Sequence, residues 1–132
     1  MRKDTATLLV LAHFAVLVAH GSAHSHLHIG VDTWQKAFIA IVIFMAPLIA
    51  TVMLWTRARE RGVILLGISL AGSLAFGVSY HFVIAGPDNA FGSYHSDWES
   101  AFRATAVLLT LIEATGLGWC IWLQHFKPSG EE

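Results

Sequence analysis

The chain alternates between long apolar runs and short polar segments. Three runs contain at most one charged residue each: 37–55, 63–85 and 104–123. A helix of roughly 20 residues crosses about 30 Å of hydrocarbon, and each run is close to that length. A fourth run, residues 5–19, is apolar except for His13 and continues through helix-compatible residues to His28. The pattern therefore predicts four membrane-spanning helices.

The predicted fold is all-α, an integral membrane four-helix bundle that forms a single domain over residues 1–132. Backbone N–H and C=O groups find no water in lipid, so each span must pair them within its own helix. The predicted spans cover residues 5–27, 34–56, 63–85 and 99–124.

Composition supports a membrane environment. Hydrophobic residues make up 55% of the 132 residues and charged residues only 13%, against about 25% charged residues in an ordinary soluble domain. The apolar surface of so small a chain is expected to face the lipid bilayer. The basic residues are scattered and the net charge is −1, which argues against a nucleic-acid partner, because such a partner requires a concentrated basic face.

Lysine and arginine predict the orientation. Six of the eight lie at the chain termini and between the second and third spans: Arg2, Lys3, Arg57, Arg59, Arg61 and Lys127. The other two, Lys36 and Arg103, lie near the starts of the second and fourth spans. The other two links, residues 28–33 and 86–99, contain neither. Because such residues favour the cytoplasmic side, we expect an N-in/C-in, multi-pass protein, in the inner membrane if the source is bacterial. Its histidine-rich face would then be extracytoplasmic.

The first span has a second interpretation, a cleaved signal peptide. Arg2 and Lys3 resemble a basic n-region, residues 8–19 an apolar h-region, and Gly21-Ser22-Ala23 a small-residue cleavage site. A histidine in the middle of the apolar region argues against cleavage.

Histidine is the unusual residue, with eight in the chain. His13, His20, His24 and His28 are spaced by 7, 4 and 4 residues. If the helix continues that far, all four lie on one face, because positions i, i+4 and i+7 share a side. Neutral imidazole binds first-row transition metals, and an i, i+4 pair can chelate one ion. The alternative is a solvated histidine-rich loop end.

His81, in the third span, is expected at the depth of His20, because it lies a few residues before the break at Gly86-Pro87. A polar residue in a span is costly and therefore suggests a function. Gly77, one turn earlier, leaves room beside the ring. The link that follows contains turn-forming pairs, and its Asp88 and His95 are further potential ligands.

Glu113 is the single charged residue within the apolar run 104–123. A carboxylate near the bilayer centre must face the bundle interior and be protonated, paired or bound to a metal. His13 is its expected partner by depth. Hydrogen bonding to serine or threonine is the simpler alternative.

These residues lead to a first functional hypothesis, a membrane protein that binds copper or zinc. The expected ligands are His20, His24, His28 and His81, with His13 and Glu113 deeper. Imidazole suits copper and zinc better than Mg²⁺ or Ca²⁺, which prefer oxygen. The role would be metal handling or assembly of a metalloenzyme.

Other hypotheses belong to different classes. His20 and His81 are candidate axial ligands of haem b in a cytochrome that exchanges electrons with quinone. A third hypothesis is an accessory subunit of a larger membrane complex. A fourth is a proton-coupled transporter that forms a homo-dimer. The sequence contains no P-loop, GxSxG or GxGxxG motif, so whether it is an enzyme stays open.

Overall fold

Four long helices make up most of the part of the chain that the structure describes. The computed structural model describes residues 3–125, and Arg2 and Lys127 of the orientation prediction lie outside that range. The helices are α1 (Lys3–His26), α2 (Thr33–Leu54), α3 (Arg59–Val83) and α4 (Glu99–His125), each long and apolar enough to cross a membrane. Residues 3–125 contain no strand. The predicted all-α bundle is confirmed, with helix ends within four residues of the predicted ones.

The bundle has two different ends. We call one end the terminal end: α1 and α3 begin there, and α2 and α4 end there. We call the opposite end, which contains the links 27–32 and 84–98, the histidine end. A hydrophobic core near the terminal end consists of Ala6, Val10, Ala50, Leu54, Leu66, Leu70 and Cys120. Close helix contact there depends on glycine, since a Cβ on Gly116 would lie 2.8 Å from Leu70 Cδ1.

A π-helical stretch, Ile39–Met45, interrupts α2 just before Pro47. In this register the amide of residue 47 would donate to the carbonyl of Val42, but proline has no N–H. The Ser69 hydroxyl of α3 donates to that carbonyl instead, at 2.6 Å. Pro47 therefore leaves the Val42 carbonyl free to accept a hydrogen bond from α3, and this bond links α2 to α3.

A second π-helical stretch, Ser79–Val83, ends α3 and contains His81. The Ile84 amide donates to the Ser79 carbonyl, five residues back, at 2.7 Å. Single π turns of this kind are frequent at functional sites, because the wider turn changes the direction of its side chains. His81 is buried within the bundle here.

The link 84–98 folds over the histidine end. The Ala90 amide donates to the His81 carbonyl at 2.8 Å, and the Tyr94 hydroxyl donates to the Asn89 carbonyl at 2.5 Å. Arg103 of α4 donates to the Gly92 carbonyl at 2.8 Å. These bonds hold the link in a fixed position above the helix ends.

Candidate metal centre

Three histidines converge at the histidine end. The Nε2 atom of His20 lies 3.1 Å from Nε2 of His81 and 3.1 Å from Nε2 of His24. One nitrogen from each of the three rings lies within 4.8 Å of both others. His20 and His81 are buried and His24 is partly exposed. We call His20, His24 and His81 the histidine cluster.

Two helices position the cluster. His20 and His24 are one turn apart on α1, so their rings lie on the same face of that helix. His81 comes from the π turn of α3, which ends at the same height. The depth match that the sequence predicted for His20 and His81 is therefore observed.

In His20 and His81, the hydrogen bond at Nδ1 decides which ring nitrogen carries the hydrogen. His81 Nδ1 lies 3.0 Å from the Asp88 backbone carbonyl, which can only accept, so Nδ1 carries the hydrogen. His20 Nδ1 lies 2.9 Å from the Thr105 hydroxyl, whose own hydrogen goes to the α4 carbonyls of Ala101 or Phe102. That hydroxyl therefore accepts from His20.

It follows that neutral His20 and His81 direct Nε2 lone pairs at each other across 3.1 Å. No hydrogen lies between two such nitrogens, and the contact is unfavourable unless one ring takes up a proton or a metal cation lies beside both. In metal sites, an Nδ1–H bond to a carbonyl or a similar acceptor commonly fixes the imidazole with its other nitrogen toward the metal. The cluster has this arrangement.

Asp88 adds a carboxylate to the cluster. Its Oδ1 lies 3.1 Å from His24 Nε2 and 3.1 Å from His81 Nδ1, at ion-pair distance. Neither contact has the angles of a hydrogen bond, and this buried oxygen has no hydrogen-bond partner among residues 3–125. Burial alone would raise the pKa of Asp88, but the attraction of His24 and His81 outweighs it and holds the pKa well below its ordinary value. Asp88 is therefore a charged carboxylate beside the cluster, whereas the donor atoms that lie within 4.8 Å of one another come, among residues 3–125, from the three histidines.

The donor set fits a divalent first-row transition metal. Three imidazole nitrogens are ligands that zinc and copper(II) accept, with a further position open to another ligand. At a Zn–N bond length of about 2.0–2.1 Å, tetrahedral angles separate two donor nitrogens by about 3.3 Å. The observed separations of 3.1 Å are close to that value.

Phe102 and Thr105 of α4 complete the surroundings, and sequence reasoning did not find them. Phe102 is fully buried and stacks on His20, with ring centroids 5.1 Å apart, while His24 and His81 meet it edge-on. A signal existed, because Phe102, Ala106, Leu109 and Glu113 follow one another at helical spacing. Counting back from an inward-facing Glu113 would have reached Phe102.

His28 lies outside the cluster. Helix α1 ends at His26, and His28 has a left-handed backbone with φ of 55° and an exposed side chain. The condition for a four-histidine stripe, a helix continuing through residue 28, is therefore not met. His95 is also exposed and left-handed, with φ of 48°.

His13 and Glu113 form a separate buried pair. His13 Nε2 donates to Glu113 Oε1 at 3.0 Å, and the Ser73 hydroxyl donates to the same oxygen. All three side chains are buried, and they join α1, α3 and α4. The partner predicted for Glu113 is the one observed, and the structure does not bring this pair into the histidine cluster.

A cavity of about 310 Å³ connects the two polar sites. Every helix contributes to its wall, which includes the cluster and Asp88 at one end and Ser73 and Glu113 at the other. Gly77 separates the two ends, because a Cβ there would lie 3.9 Å from the His81 ring and 4.0 Å from Glu113 Oε2.

Comparisons of the chain with models of protein families, with curated proteins and with solved structures give no match. Its function is therefore inferred from the geometry of its own residues.

Proposed function

We propose that this protein binds one copper or zinc ion in the membrane, through His20, His24 and His81. The observation that carries the proposal is the convergence of imidazole lone pairs whose Nδ1–H groups are held by Thr105 and by the Asp88 carbonyl. An imidazole fixed in this way is ready to bind a cation without reorganisation.

The ion would lie at the extracytoplasmic face. This orientation is supported by Arg57, Arg59 and Arg61, which follow α2 at the terminal end, and by the lack of lysine and arginine in links 27–32 and 84–98. A site at that face, with one partly exposed ligand, suits uptake and delivery of an ion. We propose metal handling or metalloenzyme assembly as the role.

The geometry favours an ion over haem. Axial imidazoles lie on opposite sides of the iron, so their nitrogens must be separated by twice a metal–nitrogen bond, about 4 Å, with the porphyrin plane between them. His20 and His81 are 3.1 Å apart, and His24 lies against the same nitrogen of His20. A porphyrin would have to displace His24 and separate α1 from α3.

Metal analysis of the detergent-purified protein after copper or zinc loading tests the proposal. We expect about one ion per chain in the wild type and a large loss in His20→Ala and His81→Ala, because each removes a central ligand. His26→Ala and His95→Ala are matched controls, since both side chains are exposed and outside the cluster.

Two results would overturn the proposal. One is a wild type without metal above background, and the other is an equal loss in cluster and control variants. The visible spectrum of the same sample, purified from haem-supplied cells, gives a separate answer, because a Soret band lost in His81→Ala would indicate haem instead.

A further inference from the structure

The cavity between the cluster and Glu113 has the properties of a ligand site. Most of its wall is apolar, with large contributions from Leu17, Ile43, Phe44, Phe76 and Leu109. Its volume, about 310 Å³, is roughly twice the ~150 Å³ that holds a benzene molecule in an engineered apolar cavity. A substituted six-membered ring is therefore an occupant of suitable size.

The helix packing gives this cavity a side opening. Helix α1 packs on the Ala46–Leu54 half of α2, whereas the Ile39–Met45 stretch packs on α3. Gly21 of α1 lines the cavity at this gap and is exposed, and a Cβ there would meet no atom within 4 Å. On the side of the gap nearer the terminal end, Phe14 of α1 and Phe44 of α2 are in contact, with ring centroids 5.2 Å apart, and close the space between the two helices. In a bilayer the opening faces lipid.

Hydrogen-bonding groups lie at both ends of this apolar space. At the deep end, His13 and Ser73 both donate to Oε1 of Glu113, and Oε2 lies beside Gly77 at the cavity wall. At the other end, Asp88 Oδ1 is a buried acceptor without a hydrogen-bond partner among residues 3–125. A lipid acyl chain would leave Glu113 Oε2 without a donor, which is costly for an oxygen inside the bundle.

From these features we infer that the cavity binds the head group of a membrane-soluble hydroquinone, entering between α1 and α2. The ring lies between Phe44 and Phe76, one hydroxyl donates to Glu113 Oε2, and the opposite oxygen points toward the histidine end. The isoprenoid or alkyl tail leaves through the gap beside Gly21. This site does not depend on a bound metal.

Binding of reduced and oxidised decylubiquinone to metal-free protein, prepared with a chelator and placed in lipid nanodiscs, tests the inference. We expect saturable binding of the reduced form to the wild type, measured calorimetrically. Gly21→Leu fills the mouth of the gap and should weaken binding at least tenfold. Gly118→Leu is the matched control, because its Cβ also meets nothing within 4 Å and it does not line the cavity.

Glu113→Gln tests the hydrogen bond without emptying the polar site. Glutamine keeps an oxygen for His13 and Ser73 but presents an NH₂ group at the position of Oε2. Affinity for the reduced form should fall at least fivefold relative to the oxidised form. The inference is wrong if the wild type shows no saturable binding, if the two glycine variants bind alike, or if Glu113→Gln leaves the preference unchanged. Because metal is absent throughout, none of these results bears on the metal site.

Discussion

At the scale of single residues, the position of one hydrogen decides what the cluster can do. An imidazole presents a lone pair on one nitrogen only when the other nitrogen holds the hydrogen. Thr105 fixes that choice for His20, and the Asp88 carbonyl fixes it for His81. The proposed metal binding therefore depends on a hydroxyl of another helix as well as on the ligands themselves.

Thr105→Val tests this role directly. Valine has nearly the same shape but cannot accept from His20 Nδ1–H, so the ring loses its orientation. We expect metal affinity to fall about 10- to 100-fold, the usual effect of losing a bond that orients a ligand. Competition with a chromophoric chelator measures this change.

Thr110→Val is the control, because the Thr110 hydroxyl donates only to the Ala106 carbonyl of its own helix. Equal affinity in the wild type and in Thr105→Val would show that Thr105 does not orient His20.

Glu113 gives a second prediction at this scale. Glu113→Ala removes the acceptor of His13 and Ser73, and leaving buried polar groups unpaired costs about 1–3 kcal/mol each. We expect a lower melting temperature and unchanged metal stoichiometry at saturation. Glu113→Gln should retain most of the stability, since its oxygen still accepts.

The opposite outcome for Glu113→Ala would be informative. Loss of the ion with an unchanged melting temperature would restore Glu113 as a metal ligand, as the sequence first suggested.

At the scale of helices, the two π turns are features that the periodicity of the sequence does not reveal. Periodicity assumes 3.6 residues per turn, and a π turn changes the face of every later residue. Hydropathy nevertheless predicted the spans and the depths of His20 and His81, because depth depends on residue count along a span rather than on rotation. Asp88 was only one of several possible ligands, since turn residues do not indicate which way a link folds.

The Ser69–Val42 bond provides a test at this scale. Ser69→Ala leaves the Val42 carbonyl without its donor and should lower the free energy of unfolding by about 1–2 kcal/mol. In a Pro47→Ala background the restored N–H can satisfy that carbonyl, so the same substitution should cost less. Detergent-phase unfolding of the four proteins gives the coupling energy. Additive effects would contradict this account of α2.

At the scale of the whole molecule, the proposed orientation rests on the distribution of lysine and arginine and is open to direct measurement. Cysteine in place of exposed Ser93 should react with an impermeant maleimide added to intact cells, whereas cysteine in place of exposed Thr56 should react only after permeabilisation. Both belong in a Cys120→Ala background. If only Thr56→Cys were labelled in intact cells, the bundle would have the opposite orientation to the one proposed.

The uneven burial of the cluster has a consequence for how cargo would be passed on. The side chains of His24 and Asp88 keep 16% and 13% exposure, against 9% for His81. An acceptor approaching from the aqueous side would therefore replace His24, the most exposed of the three proposed ligands, first, while His20 and His81 stay anchored through their Nδ1–H groups. The ion would pass to the acceptor by stepwise exchange of ligands, without being released into solution.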